Sequence, residues 1–183
     1  MRSTLPDVSS SHGPAPLPAQ RWTRSWPAYA AAALAFLFAV PSFYWGLGGR
    51  FGRRTIGSEA VGLTWADDPL TMAAVLVTGV LKVAGGILAL RLARPAARGP
   101  QRWAVLGGGW AATLALLGYG SVQLGLQAAV ASGLVDPPAG ADRDAMYWHL
   151  YLWSPWFIAW GVLLGLAVWR CQRDSTASAA APA

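Results

Sequence analysis

The chain alternates long apolar stretches with short polar ones, and the polar ones carry nearly all of its charge. No Asp, Glu, Lys or Arg stands between Arg24 and Arg50, between Arg102 and Asp136, or between Asp144 and Arg170. A fourth window, from Asp68 to Arg91, is interrupted only by Lys82. Each window exceeds the roughly 20 apolar residues a helix needs to cross a hydrocarbon core of about 30 Å. The pattern predicts four spans, at about 27–46, 69–92, 103–130 and 146–169. Pro27 suits a first helical turn, where its missing N–H costs nothing, and Pro41 is expected to kink the far end of the first helix.

The expected fold is therefore all-α: a four-transmembrane-helix up-down bundle at residues 26–171, between disordered cytoplasmic tails at 1–25 and 172–183. The Pro- and Ser-rich leader is too long for the n-region of a signal peptide, and Tyr44-Trp45-Gly46 is not a small-x-small cleavage site, so the first helix is read as retained. In the loop from Gly48 to Asp68, the run Ile56, Ala60, Val61, Leu63 and Trp65 could lie along the interface as a short helix.

Composition agrees with this pattern. Hydrophobic residues make up 55% of the 183 and charged ones 12%, about half the usual share, which is too little to cover a soluble domain. A net charge of +6 would suit nucleic acid, but the arginines sit at helix ends with no basic stripe among exposed aromatics, so no nucleic-acid partner is expected. Their placement instead sets orientation. One side collects Arg2, Arg21 and Arg24, the turn from Arg91 to Arg102, and Arg170 with Arg173; the other has Arg50, Arg53, Arg54 and Arg143 accompanied by most of the acids. The first side is expected in the cytoplasm, with both termini. Trp22 and Trp26, beside Arg21 and Arg24, suit a headgroup-level anchor. The single cysteine, Cys171, excludes an intrachain disulfide and a cysteine-based metal site, and no metal is expected.

Small residues let such helices approach without a hydrophobic driving force: Gly161 and Gly165, Gly107 to Gly109, and Gly79, Gly85 and Gly86. Packing within the chain is the first reading of these, and a homodimer seam or another membrane protein partner the second.

Two places could hold chemistry. Lys82 is the only lysine beside thirteen arginines. It lies about 13 Å from Arg91 and about 20 Å from Pro69 along the helix, too deep for its side chain to reach either headgroup layer. A charge at that depth costs about 2.5–3.5 kcal/mol and is by default a functional hypothesis. No carboxylate shares its depth, so Lys82 is expected to face the bundle interior against Trp110 or Trp160, in a cation–π contact or held partly neutral. A polar residue tolerated because it ties helices together is the competing reading.

The second place is the opposite, non-cytoplasmic end. His149, Trp153, Trp156 and Trp160 recur at i, i+4, i+7 and i+11, one face of the fourth helix, preceded by Asp142 and Asp144. The first helix brings Ser42, Tyr44 and Trp45 to the same level, and the third brings Gln123 and Gln127. An aromatic wall with a few polar groups suits a ligand. His149 could pair with a carboxylate as acid and base, or ligate a haem; otherwise no cofactor is expected. The same residues also suit an ordinary interfacial aromatic belt.

The segment from Pro41 to Gly49 resembles the first-helix signature, Tyr-Trp-Ala-x-Gly-Gly, of a family of small four-helix actinobacterial membrane proteins of unknown function. The segment from Trp148 to Phe157 is similar to that family's last-helix signature, Trp-His-x-x-x-Trp-x-Pro-Trp. The resemblance implies a multi-pass protein of a bacterial plasma membrane, and gathers Tyr44, Trp45, Gly48, Gly49, His149 and Trp153 into one non-cytoplasmic site.

The reading that follows is a non-enzymatic membrane component that binds a lipid or small apolar ligand, or assists a membrane system, through a pocket between the first, third and fourth helices. Two alternatives stand beside it. One is an enzyme acting on a lipid or isoprenoid from the outer face, with His149 and Asp144 or Glu59. The other is a transport role with Lys82 in the path.

Overall fold

The computed structural model of the chain describes residues 18–56, 68–94, 99–137 and 141–180. Its helices are α1 (Pro18–Gly46), α2 (Pro69–Leu92), α3 (Pro100–Ala131), α4 (Arg143–Trp148) and α5 (Ser154–Ala180). A 3-10 turn, Arg53–Ile56, follows α1, and a π-helical turn, His149–Trp153, carries α4 into α5 without a break. No strand occurs among the described residues. Four segments are long and apolar enough to cross a membrane: Ser25–Gly46, Pro69–Leu92, Pro100–Ala131 and Arg143–Arg173.

Two helices outrun their expected ends. α1 starts at Pro18 rather than near Pro27, and α5 runs to Ala180 rather than ending near Trp169, so residues 18–25 and 172–180 are helical where a tail was expected. The cause is local. Pro18 occupies a first turn, good helix formers follow it, and the segment after Arg173 is rich in Ala with no Gly or Pro before Pro182. Residues 1–17 lie outside the described residues, as does the interfacial run expected from Ile56 to Trp65 apart from Ile56 itself, which ends the 3-10 turn.

Helix starts follow capping chemistry. Asp68 caps α2, accepting from the amides of Leu70 and Thr71 and from the Thr71 hydroxyl, with Pro69 next in the chain. The Thr71 hydroxyl, then its amide, hold the Asp68 carboxyl below the usual carboxylate range. Gly99, at φ +71°, turns the chain into Pro100 and α3, a conformation that disfavours any residue with a Cβ. The π-helical turn precedes Pro155. A proline there has no N–H to give and would crowd the Tyr151 carbonyl, and widening the preceding turn accommodates it; Ser154 N–H bonds instead to the His149 carbonyl.

α1 is the centre of the bundle. Its buried positions, Ala28, Ala31, Ala32, Ala35, Phe38, Ala39, Ser42 and Trp45, recur at helical spacing. The alanines let α2 and α5 approach on either side. Glycines on α2 receive α1 side chains: Phe36 lies over Gly86, and Phe43 and Ser42 over Gly79. α3 packs along α5, where the Gly161 and Gly165 pair accepts Leu117 and Thr113 of α3. That pair is therefore used within the chain. α2 and α3, although consecutive, touch only sparsely.

Candidate functional site

Four of the aromatic and histidine groups expected at a ligand site are engaged with the chain itself. Trp45 Nε1 donates to the Phe51 carbonyl at 2.8 Å, and the Phe51 amide donates to the Tyr44 hydroxyl at 3.3 Å. Trp153 Nε1 donates to the Thr55 carbonyl at 2.9 Å, and the His149 imidazole is hydrogen-bonded to the Ile56 backbone. Gly48, at φ +95°, reverses the chain after α1, and the Tyr44 ring lies where a Gly49 side chain would be. Together these bonds clasp residues 50–56 onto the end of the bundle. Trp156 reaches deeper, donating to the Leu34 carbonyl of α1 at 3.3 Å. These bonds join α1, the 50–56 loop and the α4–α5 helix in a clasp at this end. Gln123, on α3, is not part of it. Asp142 is also occupied, capping α4 through the amides of Asp144 and Ala145.

Lys82 faces the interior, against different partners from those expected. Its Nζ donates to Ser42 Oγ at 2.7 Å and sits 3.9 Å from the Phe38 ring centroid, rather than against Trp110 or Trp160. Ser42, expected beside Tyr44 and Trp45 at the non-cytoplasmic end, instead meets Lys82, and counting along a helix does not fix the direction in which a side chain leaves it. Lys82 lies between Gly79 and Gly86, both of which face α1, and it turns the same way. Trp160 instead covers Gly85, where an added Cβ would lie 2.8 Å from its Cζ2.

From Lys82 an aromatic chain crosses the bundle. Phe38 stacks on Trp153 (5.4 Å between centroids) and meets the edge of Phe157 at 4.8 Å, and Phe157 meets Tyr119 of α3 at 4.8 Å. Ala74, Thr78, Leu81, Gly85, Leu88 and Leu92 form one stripe of α2, at i, i+4, i+7, i+11, i+14 and i+18. Toward Leu92 the stripe is covered: Trp160 lies over Gly85, while Leu88 and Leu92 reach Gly108 and Gly109 of α3. Toward Pro69 it is bare, with Ala74, Thr78 and Leu81 exposed. On α3 the stripe through Gly108, Ala115, Tyr119, Val122 and Leu126 is exposed throughout, and a Cβ added at Gly108 would only just reach Leu88. The contacts between α2 and α3 seen at Leu88 and Leu92 therefore lie toward the end of α2, and the stripes beyond them, with Thr78 on one helix and Tyr119 on the other, are exposed. Lys82 itself turns to α1.

Of the residues singled out in the sequence, the structure brings together Tyr44, Trp45, Gly48, Gly49, His149 and Trp153 in the clasp, with Trp156 below. It places Lys82 against α1 and Gln123 on α3. Thr78, Tyr119, Phe38 and Phe157 were not anticipated. The helical stripe through Ala74, Thr78 and Leu81 was readable, but that its end is uncovered was not.

Aromatic and cationic residues mark the two ends of the bundle. At the end holding the α2–α3 connection, arginines lie over tryptophan rings: Arg170 over Trp26, Arg102 over Trp103 and Arg173 over Trp169. At the clasped end Tyr44, Phe51, Trp148 and the stacked pair Tyr147 and Tyr151 are exposed. Eighteen residues separate Trp26 from Tyr44, and Tyr151 from Trp169. At the α-helical rise this is about 27 Å, close to the thickness of a hydrocarbon core.

Fold and surface define a helical bundle with the dimensions of a four-span membrane protein. The family described as Protein of unknown function (DUF3995) matches residues 35–164, more than half of the chain, and the chain belongs to that family. Both segments that carry the resemblance noted in the sequence lie within this match. No curated protein and no solved structure matches the chain.

Proposed function

We propose that this is a multi-pass protein of a bacterial plasma membrane, with both termini in the cytoplasm, that acts as a non-enzymatic binding component for a membrane lipid. The lipid is held along the exposed faces of α2 and α3, with its chains in the surrounding bilayer. One observation carries the reading: the α2 stripe that is covered from Gly85 to Leu92 is bare from Ala74 to Leu81. An apolar face at mid-bilayer depth is covered by lipid, because nothing else apolar is present there. The arginine–tryptophan pairs at one end and the tyrosine-rich rim at the other support the orientation.

The test is native mass spectrometry of the protein released from a mild, neutral detergent. The expected result is retained lipid at a defined stoichiometry, lost when Thr78→Trp obstructs that face while the far-side variant Val162→Trp keeps it. Lipid retained equally by both variants would move the site elsewhere, and no retained lipid in the parent protein would end the reading.

A further inference from the structure

We infer that the end of the bundle holding the α2–α3 connection docks the phosphate of an anionic membrane lipid, with Arg102 as its anchor and Arg91 and Arg94 beside it. The inference is separate from the lipid-covered face proposed above and shares with it only the bilayer. No Asp or Glu stands between Asp68 and Asp136, so the four arginines from Arg91 to Arg102 have no acid among them. α5 brings Arg170 and Arg173 to the same end, against the single Asp174. The clasped end differs, because there Arg50, Arg53 and Arg143 are mixed with Asp68, Asp142 and Asp144.

Arg102 is built into this end rather than trailing from it. It stands one turn before Leu106, on the buried stripe of α3 that continues through Gly109 and Thr113. Its Nε is closed off from solvent without an acceptor, while the side chain as a whole stays partly exposed. The guanidinium carbon lies 5.9 Å from the ring centroid of Trp103, which is itself exposed. An arginine whose inner nitrogen is packed away presents its terminal N–H groups as a fixed fork, and that fork matches a phosphate bidentately. With no acid on α2 or α3, an outside anion is the partner it lacks. Leu92 of α2 meets Gly109 of α3, and both helices run on from there to the connection. Arg91 is level with that contact and Arg102 stands about 10 Å beyond it, so their long side chains reach one headgroup layer. Gly99 gives α3 no side-chain cap, and the positive end of that helix adds to the same field. The exposed Trp103 beside the fork, with Arg170 over Trp26 and Arg173 over Trp169, suits the boundary between headgroups and acyl chains, which favours a lipid over a free ion. A zwitterionic headgroup fits less well, because it brings its own ammonium into a positive field.

The experiment uses the full chain in neutral detergent, titrated with phosphatidylglycerol or with phosphatidylcholine of the same acyl chains, and counts bound lipid by native mass spectrometry. A charge-assisted hydrogen bond corresponds to about tenfold or more in affinity, and the parent protein should prefer phosphatidylglycerol by at least that factor. Arg102→Gln should lose most of the preference, and Arg102→Lys should keep part of it, since the charge remains without the fork. The double variant Arg91→Gln with Arg94→Gln changes two exposed positions, needs no repacking, and should lower the preference as well. Arg143→Gln, at the opposite end, and Thr78→Trp should leave it unchanged. Equal binding of the two lipids by the parent protein overturns the inference while leaving the face on α2 and α3 standing, and this comparison needs no variant to fold. A preference that survives both Arg102→Gln and the double variant overturns it too. Loss in Arg143→Gln to the same degree would reduce the preference to net charge, and loss in Thr78→Trp would put the headgroup on the face proposed above; either result overturns the assignment to Arg102. Displacement of phosphatidylglycerol by millimolar inorganic phosphate would overturn the lipid in favour of a soluble anion.

Discussion

Replacing Lys82 by Met separates a lysine that the bundle tolerates from one that holds it together. Met matches the length of the side chain and removes its charge. Insertion measurements put a lysine at the centre of a membrane helix at about 2.5–3.5 kcal/mol, which Lys82→Met would recover. Against this stand the bond to Ser42, about 1.5–3 kcal/mol for a charged donor, and the contact with Phe38, about 0.5–2 kcal/mol. The terms nearly cancel, so Lys82→Met should unfold within about 1 kcal/mol of the parent protein. For a chain of this size that is a shift of roughly 2–4 °C in Tm. Ser42→Ala should cost more, because it leaves a buried ammonium without its acceptor, and the double variant should return close to Lys82→Met. Thermal unfolding in detergent, followed by tryptophan fluorescence, reads all three variants against the parent. A loss above about 3 kcal/mol for Lys82→Met, with Ser42→Ala neutral, would make the lysine structural and refute the reasoning.

Three further outcomes follow from the packing and the caps. Trp153→Phe keeps the stack on Phe38 but removes the donor to Thr55, so the 50–56 loop should loosen by about 1 kcal/mol; amide hydrogen exchange at Thr55 should quicken several-fold, and unchanged exchange would dissolve the clasp. Gly85→Leu meets Trp160 and should destabilise by about 1–3 kcal/mol, whereas Gly118→Leu, with nothing near its missing Cβ, should be neutral or mildly stabilising through helix propensity; equal effects in thermal unfolding would contradict the packing. The Asp68 carboxyl is held low by Thr71, so its support for the start of α2 is complete above about pH 4 and is lost as the pH falls through its lowered pKa. Amide exchange at Leu70 and Thr71 should therefore accelerate on acidification below pH 4 in the parent protein and show no such dependence in Asp68→Asn.

The spans were legible because a charge-free window of membrane length leaves a chain few alternatives. The start of α2 was legible to the residue, since Asp68 followed by Pro69 is a cap and a first turn in two letters. The outer ends of α1 and α5 were not. Their polarity ends the membrane segment but does not end the helix, and no Gly or Pro stops it. The residues of the clasp were readable as a group, yet their acceptors are main-chain carbonyls of Phe51 and Thr55, which no side-chain pattern announces. The even spacing counted through His149 and Trp153 also missed the π-helical turn, which Pro155 could have signalled. For Lys82 the partners were not legible, because the direction of its side chain follows the glycines on either side, which face α1.

The same constraints decide where the bundle is least tied. α1 is tied to α2 by side chains seated on Gly79 and Gly86, and to α5 by the alanine seam and the bond from Trp156 to Leu34. α5 is tied to α3 through Gly161 and Gly165. Beyond the helices, the clasp fastens the chain after α1 to Trp153 and His149. Each of these joints lies at α1 or α5. Among the described residues no such joint ties the first half of α2 to α3, and the contacts between them lie at Leu88 and Leu92. A helix pair fastened at one end and free at the other can part without breaking a side-chain hydrogen bond, which makes this the least costly place for the bundle to admit a lipid. The charge of Lys82 is tolerable inside the bundle because Ser42 and Phe38 of α1 receive it. The clasp and the exposed face are therefore two parts of one arrangement, in which α1 and α5 form the fixed wall and the first half of α2 is left untied to α3.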